Sequence, residues 1–197
     1  MSPKVEEELM SRVSTLPDYS IIYLHIDPNQ YFPVLQEMMN NFVNEKDMGG
    51  IYITTTRPAR AISNRLSMKK IDLEDIFFVD CISYSVGANI KDEDEILYVE
   101  SPTQLESVML KTYWLLKKVE TEQKFVFLDS LNTLGIYNAE RMLSEFFHTF
   151  INKLRTQEVF GVILTVGEDP PKEVIKMLEL VCDETLDLRK TRNNKEA

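Results

Sequence analysis

Short apolar runs alternate with segments of helical periodicity along most of the chain, and this alternation limits the folds open to it. The runs are rich in β-branched and aromatic side chains, which is typical of buried strands. They cover residues 21–26, 51–56, 76–80, 96–99, 125–128, 159–166 and 185–188. Between them, apolar residues recur at helical spacing, most regularly over residues 142–154. The alternation predicts βαβ crossovers and a mainly parallel sheet covered on both faces.

One domain accommodates these elements. A chain of 197 residues is about the size of a single domain and can bury a sizeable core. No internal repeat and no linker rich in Pro, Gly and Ser divides the sequence. We expect a helical N-terminal segment over residues 1–17, an α/β domain of three layers over residues 18–190, and a frayed polar tail over residues 191–197.

Composition excludes several classes of protein. The net charge of −10 has the wrong sign for neutralising phosphates, so binding to duplex nucleic acid is not expected. No apolar stretch approaches the ~20 residues that span a bilayer, and the N-terminus lacks the apolar region of a signal peptide. Two cysteines, Cys81 and Cys182, do not form a disulfide framework or a metal site. We expect a cytoplasmic protein without a metal and without a membrane partner.

One apolar run ends in a carboxylate and a hydroxyl. Residues 125–128 lead directly into Asp129 and Ser130, and in an open parallel sheet ligands bind beyond the carboxyl ends of the strands. A strand of this kind can deliver a carboxylate to the edge of a nucleotide site. The other residues predicted at strand ends lie at 25–29, 54–57, 80 and 165–168.

The order of these segments resembles the RecA-like ATPases, particularly the archaeal and bacterial KaiC-like group. Residues 125–134 resemble the Walker B strand of that group, in which an apolar run leads into Asp-Ser. Residues 50–55 and 77–80 resemble the two strands before it, and residues 183–188 resemble a late strand that follows an acidic residue. The resemblance covers roughly residues 18–190 and implies a P-loop NTPase architecture. It makes Asp129 and Ser130 the remnant of a Walker B motif.

The phosphate-binding loop of that family has no counterpart in this sequence. A Walker A loop needs glycines for close backbone approach, a lysine for the phosphates and a hydroxyl for magnesium. At that position the chain has residues 25–33, which hold neither glycine nor lysine, and no Gly-Lys pair occurs elsewhere. Two prolines there remove amide donors, and a carboxylate repels phosphate. The vacated positions are Asp27, Pro28, Asn29 and Gln30, of which Asn29 is expected to cap the next helix.

A second element of the family's chemistry is also missing. Residues 55–57, Thr-Thr-Arg, follow the second predicted strand where the family has an acidic residue that polarises the attacking water. Without a phosphate loop, we expect Asp129 to cap the following turn or to accept from a neighbouring backbone amide. We therefore predict no catalytic residue.

A candidate interaction patch remains. A basic segment has no acidic residue between positions 57 and 70, and a long predicted helix carries more aromatic side chains than one core-facing stripe needs. The basic segment also fits an ordinary solvated helix face. The candidate patch consists of Arg57, Arg60, Arg65, Lys69, Tyr113 and Trp114.

The sequence favours a non-catalytic RecA/KaiC-like domain, a pseudo-ATPase without a cofactor that acts as a protein-interaction or regulatory module. Its expected partner is an active RecA-like ATPase or a second copy of itself. One alternative is a nucleotide-binding ATPase with an atypical phosphate site, which would use ATP and magnesium. A related alternative is an enzyme or nucleotide binder of another α/β class, in which Asp27, Arg57, Asp80 and Asp129 converge in one crevice. The last is an accessory factor in DNA recombination or repair, which the net charge disfavours.

Overall fold

The computed structural model describes residues 3–87 and 90–189. The tail predicted for residues 191–197 lies outside the described residues, as do the first two residues of the predicted N-terminal segment. The strands are β1 Ile21–Ile26, β2 Gly49–Thr54, β3 Ile76–Asp80, β4 Ile96–Tyr98, β5 Lys124–Asp129, β6 Val159–Val166 and β7 Glu184–Asp187. The helices are α1 Pro3–Val13, α2 Tyr31–Met39, α3 Ala59–Met68, α4 Leu105–Leu116, α5 Leu131–Tyr137, α6 Glu140–Thr156 and α7 Lys172–Val181.

The seven strands form one parallel sheet in the order β4-β3-β2-β5-β6-β1-β7. Helices cover both faces, which makes the three-layer α/β/α arrangement that the sequence predicts. On one face α1, α2 and α3 pack on the sheet, and on the other face α4, α5, α6 and α7 do so. The predicted fold class is confirmed.

Alternate residues of each strand enter opposite cores. In β1, Ile22, Leu24 and Ile26 face the first three helices, whereas Ile21 and Tyr23 face the later ones. Every residue of β1 and β2 is buried. Strands buried on both faces have continuous apolar runs instead of an alternating pattern, which is why these runs were visible in the sequence.

Close strand packing fixes the start of β2. The sequence suggests that Gly49 and Gly50 end the preceding helix, but both belong to β2. A Cβ atom at Gly50 would lie 2.5 Å from the carbonyl oxygen of Phe125 on the neighbouring strand. The helical segment before β2 ends instead in a π-helical turn over Asn40–Glu45.

The edge strand β4 is short, and its outer side is covered. The amide of Glu93 donates to the carbonyl of Ile96 at 2.9 Å, and the amide of Tyr98 donates to Oδ1 of Asp92 at 2.8 Å. These bonds occupy backbone groups that an open edge would offer to another strand. In the described part of the chain, no helix has the length and apolar character needed to cross a bilayer.

Candidate functional site

The carboxyl ends of the parallel strands meet at one edge of the sheet, and Asp129 lies there at the end of β5. Its carboxylate is 1% exposed. Tyr31, the first residue of α2, donates a hydrogen bond from its phenol hydroxyl to Oδ2 of Asp129. Tyr52, inside β2, donates to the same oxygen at 2.5 Å. Two tyrosines from separate elements therefore hold the Walker B-like carboxylate.

Tyr52 is itself fixed from both sides. Its ring stacks on Phe127 at a centroid distance of 5.3 Å, and the ring of Phe78 lies at 5.8 Å on the other neighbouring strand. Its side chain is fully buried, and burial raises the pKa of its phenol well above the ordinary value. Tyr52 therefore stays protonated and remains a hydrogen-bond donor to Asp129 over the physiological pH range.

Burial also controls the ionisation of Asp129. Desolvation raises the pKa of its carboxyl group, against the opposing effects of the two tyrosine hydrogen bonds and the positive charge of Arg57. Its second oxygen, Oδ1, is buried and has no hydrogen-bond partner among the described residues. The expectation that Asp129 caps the following turn is wrong, because its carboxylate bonds to side chains from α2 and β2.

Ser130 is fixed through its backbone. Its amide donates to Oγ1 of Thr55 at 2.9 Å, and the Thr55 hydroxyl lies 3.0 Å from the carbonyl oxygen of Ser130. Ser130 precedes α5, but its side chain makes no capping bond to that helix. The peptide bond between Asp129 and Ser130 is cis. Thr55, which stands just after β2, therefore supports the end of β5.

The segment after β1, where the resemblance predicts a phosphate loop, forms a compact 3-10 turn over Pro28–Gln30. The amide of Asp27 donates to Oε1 of Gln30 at 2.7 Å, and the amide of Gln30 donates to the carbonyl of Asp27 at 2.9 Å. These two amides are thus used inside the turn. Asn29 does not cap α2, since it lies within the turn and α2 begins at Tyr31.

The candidate interaction patch is divided by the fold. The guanidinium carbon of Arg65 lies 3.2 Å from the ring centroid of Phe32, and that of Arg57 lies 5.1 Å from the same centroid. Lys69 lines a surface groove together with Phe32 and Arg65. Arg60 instead forms an ion pair with Glu93 at 2.7 Å.

Tyr113 and Trp114 lie on α4, which covers the opposite face of the sheet. Tyr113 is partly buried against the α6 core, with its ring centroid 6.0 Å from that of Phe150. Trp114 is half exposed, and the Lys118 ammonium lies 4.3 Å from the centre of its ring. The aromatic and basic halves of the predicted patch therefore belong to different surfaces.

Asp80 has a structural role at the end of β3. Its Oδ2 accepts from the Ala59 amide, at the start of α3, and from the Ser83 hydroxyl, at 2.8 and 2.7 Å. Its Oδ1 accepts from the amides of Ile82 and Ser83, both at 2.9 Å. The buried carboxylate of Asp80 thus accepts four hydrogen bonds, which hold the start of α3 and the turn after β3. The structure does not join it to Asp129 in a shared network.

A polar cluster beyond β6, β1 and β7 was not predicted. Nε2 of the buried His25 lies 2.9 Å from the carbonyl oxygen of Gly167, and burial lowers the pKa of this imidazole. Arg189 contacts the same carbonyl at 3.0 Å and pairs with Asp169 and Asp187 at 2.9 and 3.0 Å. The sequence placed His25 and Gly167 at predicted strand ends, but nothing in it linked them to Asp169, Asp187 or Arg189. Within residues 3–87 and 90–189 no group of three or more His, Cys, Asp or Glu residues could hold a metal.

The profile of a family of unknown function, DUF7090, matches residues 35–195. The chain belongs to DUF7090. No curated protein sequence matches this DUF7090 chain.

Solved structures from the archaeon Pyrococcus horikoshii share the fold. The KaiC-like protein PH0186 of strain OT3 is 15% identical with a TM-score of 0.60, and the match covers 87% of this chain and 73% of that protein. The uncharacterized protein PH0321, solved in complex with an unknown peptide, is 14% identical with a TM-score of 0.67. That match covers 92% of this chain and 82% of PH0321. At such identities the likeness shows the fold alone, and it confirms the predicted similarity to RecA/KaiC-like domains.

Proposed function

We propose that this chain is a non-catalytic RecA/KaiC-like domain that serves as a protein-interaction or regulatory module. The observation that carries the proposal is the state of Asp129, a buried carboxylate whose Oδ2 accepts from both Tyr31 and Tyr52. Magnesium at a nucleotide site keeps several waters and requires open space around its carboxylate. Asp129 is 1% exposed, and two phenol hydroxyls already contact its Oδ2.

The phosphate position supports the same conclusion. Phosphoryl transfer depends on positioning and on stabilising negative charge, for which P-loop enzymes use backbone amides and a lysine. The turn at residues 28–30 has no lysine, and the amides of Asp27 and Gln30 already have partners within it. Tyr31, which follows directly, points its hydroxyl at Asp129. These features support a chain that does not use ATP in the manner of the P-loop enzymes.

An exposed apolar surface supports a role in interaction. Leu110 and Trp114 on α4 are 61% and 50% exposed and line an open groove of about 860 Å³. Large exposed apolar side chains in a groove are typical of protein-binding surfaces. The fold neighbour PH0321 was solved with a bound peptide, which agrees with such a role. The proposed partner is an active RecA-like ATPase or a second copy of this chain.

Calorimetric titration with ATP and magnesium tests the proposal. We expect no saturable heat, because neither a phosphate loop nor an open carboxylate is available. Micromolar binding together with measurable turnover would overturn the proposal.

A second candidate is a nucleotide binder with an atypical phosphate site. One observation favours it: the Arg57 guanidinium lies at the carboxyl edge, 5.5 Å from the ring centroid of Tyr31. An arginine beside aromatic rings can contact both a base and a phosphate. Saturable ATP binding without turnover that disappears in an Arg57→Ala variant would establish this candidate in place of the first.

A further inference from the structure

Within residues 3–87 and 90–189, Arg57 and Arg65 form no ion pair with a carboxylate. Other arginines form ion pairs, namely Arg12, Arg60, Arg141, Arg155 and Arg189. Arg57 and Arg65 differ, since no carboxylate oxygen of the described residues lies within 4.0 Å of either guanidinium. In a chain of net charge −10, two neighbouring unpaired guanidinium groups mark a local reversal of charge.

Both guanidinium groups approach one aromatic ring. Arg65 stacks closely on Phe32, with 3.2 Å from its guanidinium carbon to the ring centroid, and Arg57 approaches the same ring at 5.1 Å. A cation over an aromatic face is held in place by the quadrupole of the ring. A stacked guanidinium still has its N–H groups at the edge of its plane, where they can bind a carboxylate with two parallel hydrogen bonds.

The ring and the cations border a groove of about 250 Å³ between α2 and α3, which we call the Phe32 groove. Its lining includes Phe32, Pro33, Gln36, Glu37, Arg65 and Lys69. Two cations there oppose the single carboxylate of Glu37, and Arg57 adds a third positive charge beside Phe32. Phe32 and Pro33 contribute apolar surface to the same lining. The groove thus combines positive charge with apolar surface.

We propose that the Phe32 groove binds an acidic segment of a partner protein through the carboxylates of its Asp or Glu side chains. This inference rests on the proposed function, and it specifies the chemistry of the partner. Two carboxylates on separate side chains can each accept a pair of hydrogen bonds from one of the two guanidinium groups. A nucleic acid is a long row of phosphates that would extend past the groove. There the chain, with its net charge of −10, would repel it.

A binding assay with a fluorescent Asp/Glu-rich peptide tests the proposal on the full chain. The test variant is Arg57→Gln/Arg65→Gln. The control variant is Arg141→Gln/Lys172→Gln, which removes the same charge from two exposed positions on α6 and α7, on the opposite side of the sheet. We expect the test variant to bind at least about tenfold more weakly, while the control stays within about twofold of the parent. Circular dichroism and the urea midpoint verify that both variants fold.

A charge-conserving variant keeps the test decisive if the glutamine variant does not fold. Arg57→Lys/Arg65→Lys retains both charges but loses the planar guanidinium groups that bind a carboxylate with two hydrogen bonds. Peptide binding should therefore weaken while the fold persists. The emission of Trp114, the only tryptophan in the chain, should not shift on binding because it lies on the opposite face. A shift that accompanies binding would place the peptide on α4 and overturn the proposal.

Other outcomes also overturn it. These are the absence of peptide binding at low salt, an equal loss in test and control variants, and tighter binding of a single-stranded oligonucleotide that the test variant loses. The last would make the Phe32 groove a nucleic-acid site. None of these results involves ATP, so a failure here is distinguishable from a failure of the proposed function, which the ATP titration decides.

Discussion

The phenol hydroxyl of Tyr31 donates a hydrogen bond to the carboxylate of Asp129, 98 residues later in the chain. Tyr31 immediately follows the turn at the phosphate-loop position, and Asp129 ends the Walker B-like strand. One contact therefore joins the start of α2 to the carboxyl end of β5, across the edge of the sheet where the parallel strands end.

Removing one donor to Asp129 should destabilise the fold. Tyr52→Phe leaves the buried carboxylate with one fewer hydrogen bond, and we expect a loss of about 1–2 kcal/mol in the free energy of unfolding. Urea denaturation measures it. Tyr19→Phe is the matched control, because Tyr19 is 56% exposed and its change should stay within about 0.5 kcal/mol. Equal effects of both substitutions would show that Asp129 does not depend on Tyr52.

The raised pKa of Asp129 predicts a dependence of stability on pH. In the folded state the carboxyl group holds its proton at pH values where the unfolded chain has lost it. The contribution of this carboxyl group to the free energy of unfolding is therefore fully present below its pKa in the unfolded chain, about 3.9. That contribution is lost as the pH rises through its higher pKa in the folded protein.

Asp129→Asn removes this titration while keeping an oxygen that can accept from the tyrosines. The stability of the variant relative to the parent should therefore increase as the pH rises from about 4 to about 8. Urea unfolding at a series of pH values measures the difference. A difference that is constant, or that decreases with pH, would contradict the assignment of a raised pKa to Asp129.

Asp80 should behave as a structural residue. Asp80→Asn places an amide NH₂ where one carboxylate oxygen accepts two hydrogen bonds, so donors face donors in a buried site. We expect a cost of about 2–4 kcal/mol in the free energy of unfolding, measured by urea denaturation. Asp72→Asn is the control, since Asp72 is exposed. A small effect at Asp80 would reopen the possibility that its carboxylate serves a ligand.

The strands were predictable from the sequence because both faces of a parallel sheet are buried. Continuous apolar runs such as residues 159–166 therefore marked them directly. α5 was missed because it is short, contains Gly135 and buries only Leu131 and Leu134. The start of α4 at Leu105, three residues after Pro102, is not visible in the sequence, because helix ends depend on local turns that periodicity does not show.

The candidate site was only partly predictable. An apolar run that ends in Asp located Asp129, but Tyr31 and Tyr52 lie 98 and 77 residues away from it. A tyrosine within a buried strand has the pattern of an ordinary core residue, so nothing local distinguished Tyr52. The grouping of Arg57 with Trp114 failed because α3 and α4 cover opposite faces of the sheet, which only the topology determines.

Trp114 should contribute little to the stability of the fold. Trp114→Ala removes a half-exposed ring, and we expect a change within about 1 kcal/mol in the free energy of unfolding. Phe150→Ala is the contrast, since that ring is 1% exposed in the core beneath α4 and its loss should cost about 3–5 kcal/mol. Thermal and urea unfolding measure both. A cost at Trp114 comparable to that at Phe150 would show that its exposed ring is needed for the fold.

The most direct test of the central claim is phosphate release from ATP with magnesium, measured on the parent chain and on Asp129→Asn. We expect that neither protein releases phosphate above the buffer rate, because Tyr31 and Tyr52 hold the carboxylate of Asp129 in a buried site. Phosphate release by the parent that disappears in Asp129→Asn would contradict it and would identify Asp129 as a working magnesium site.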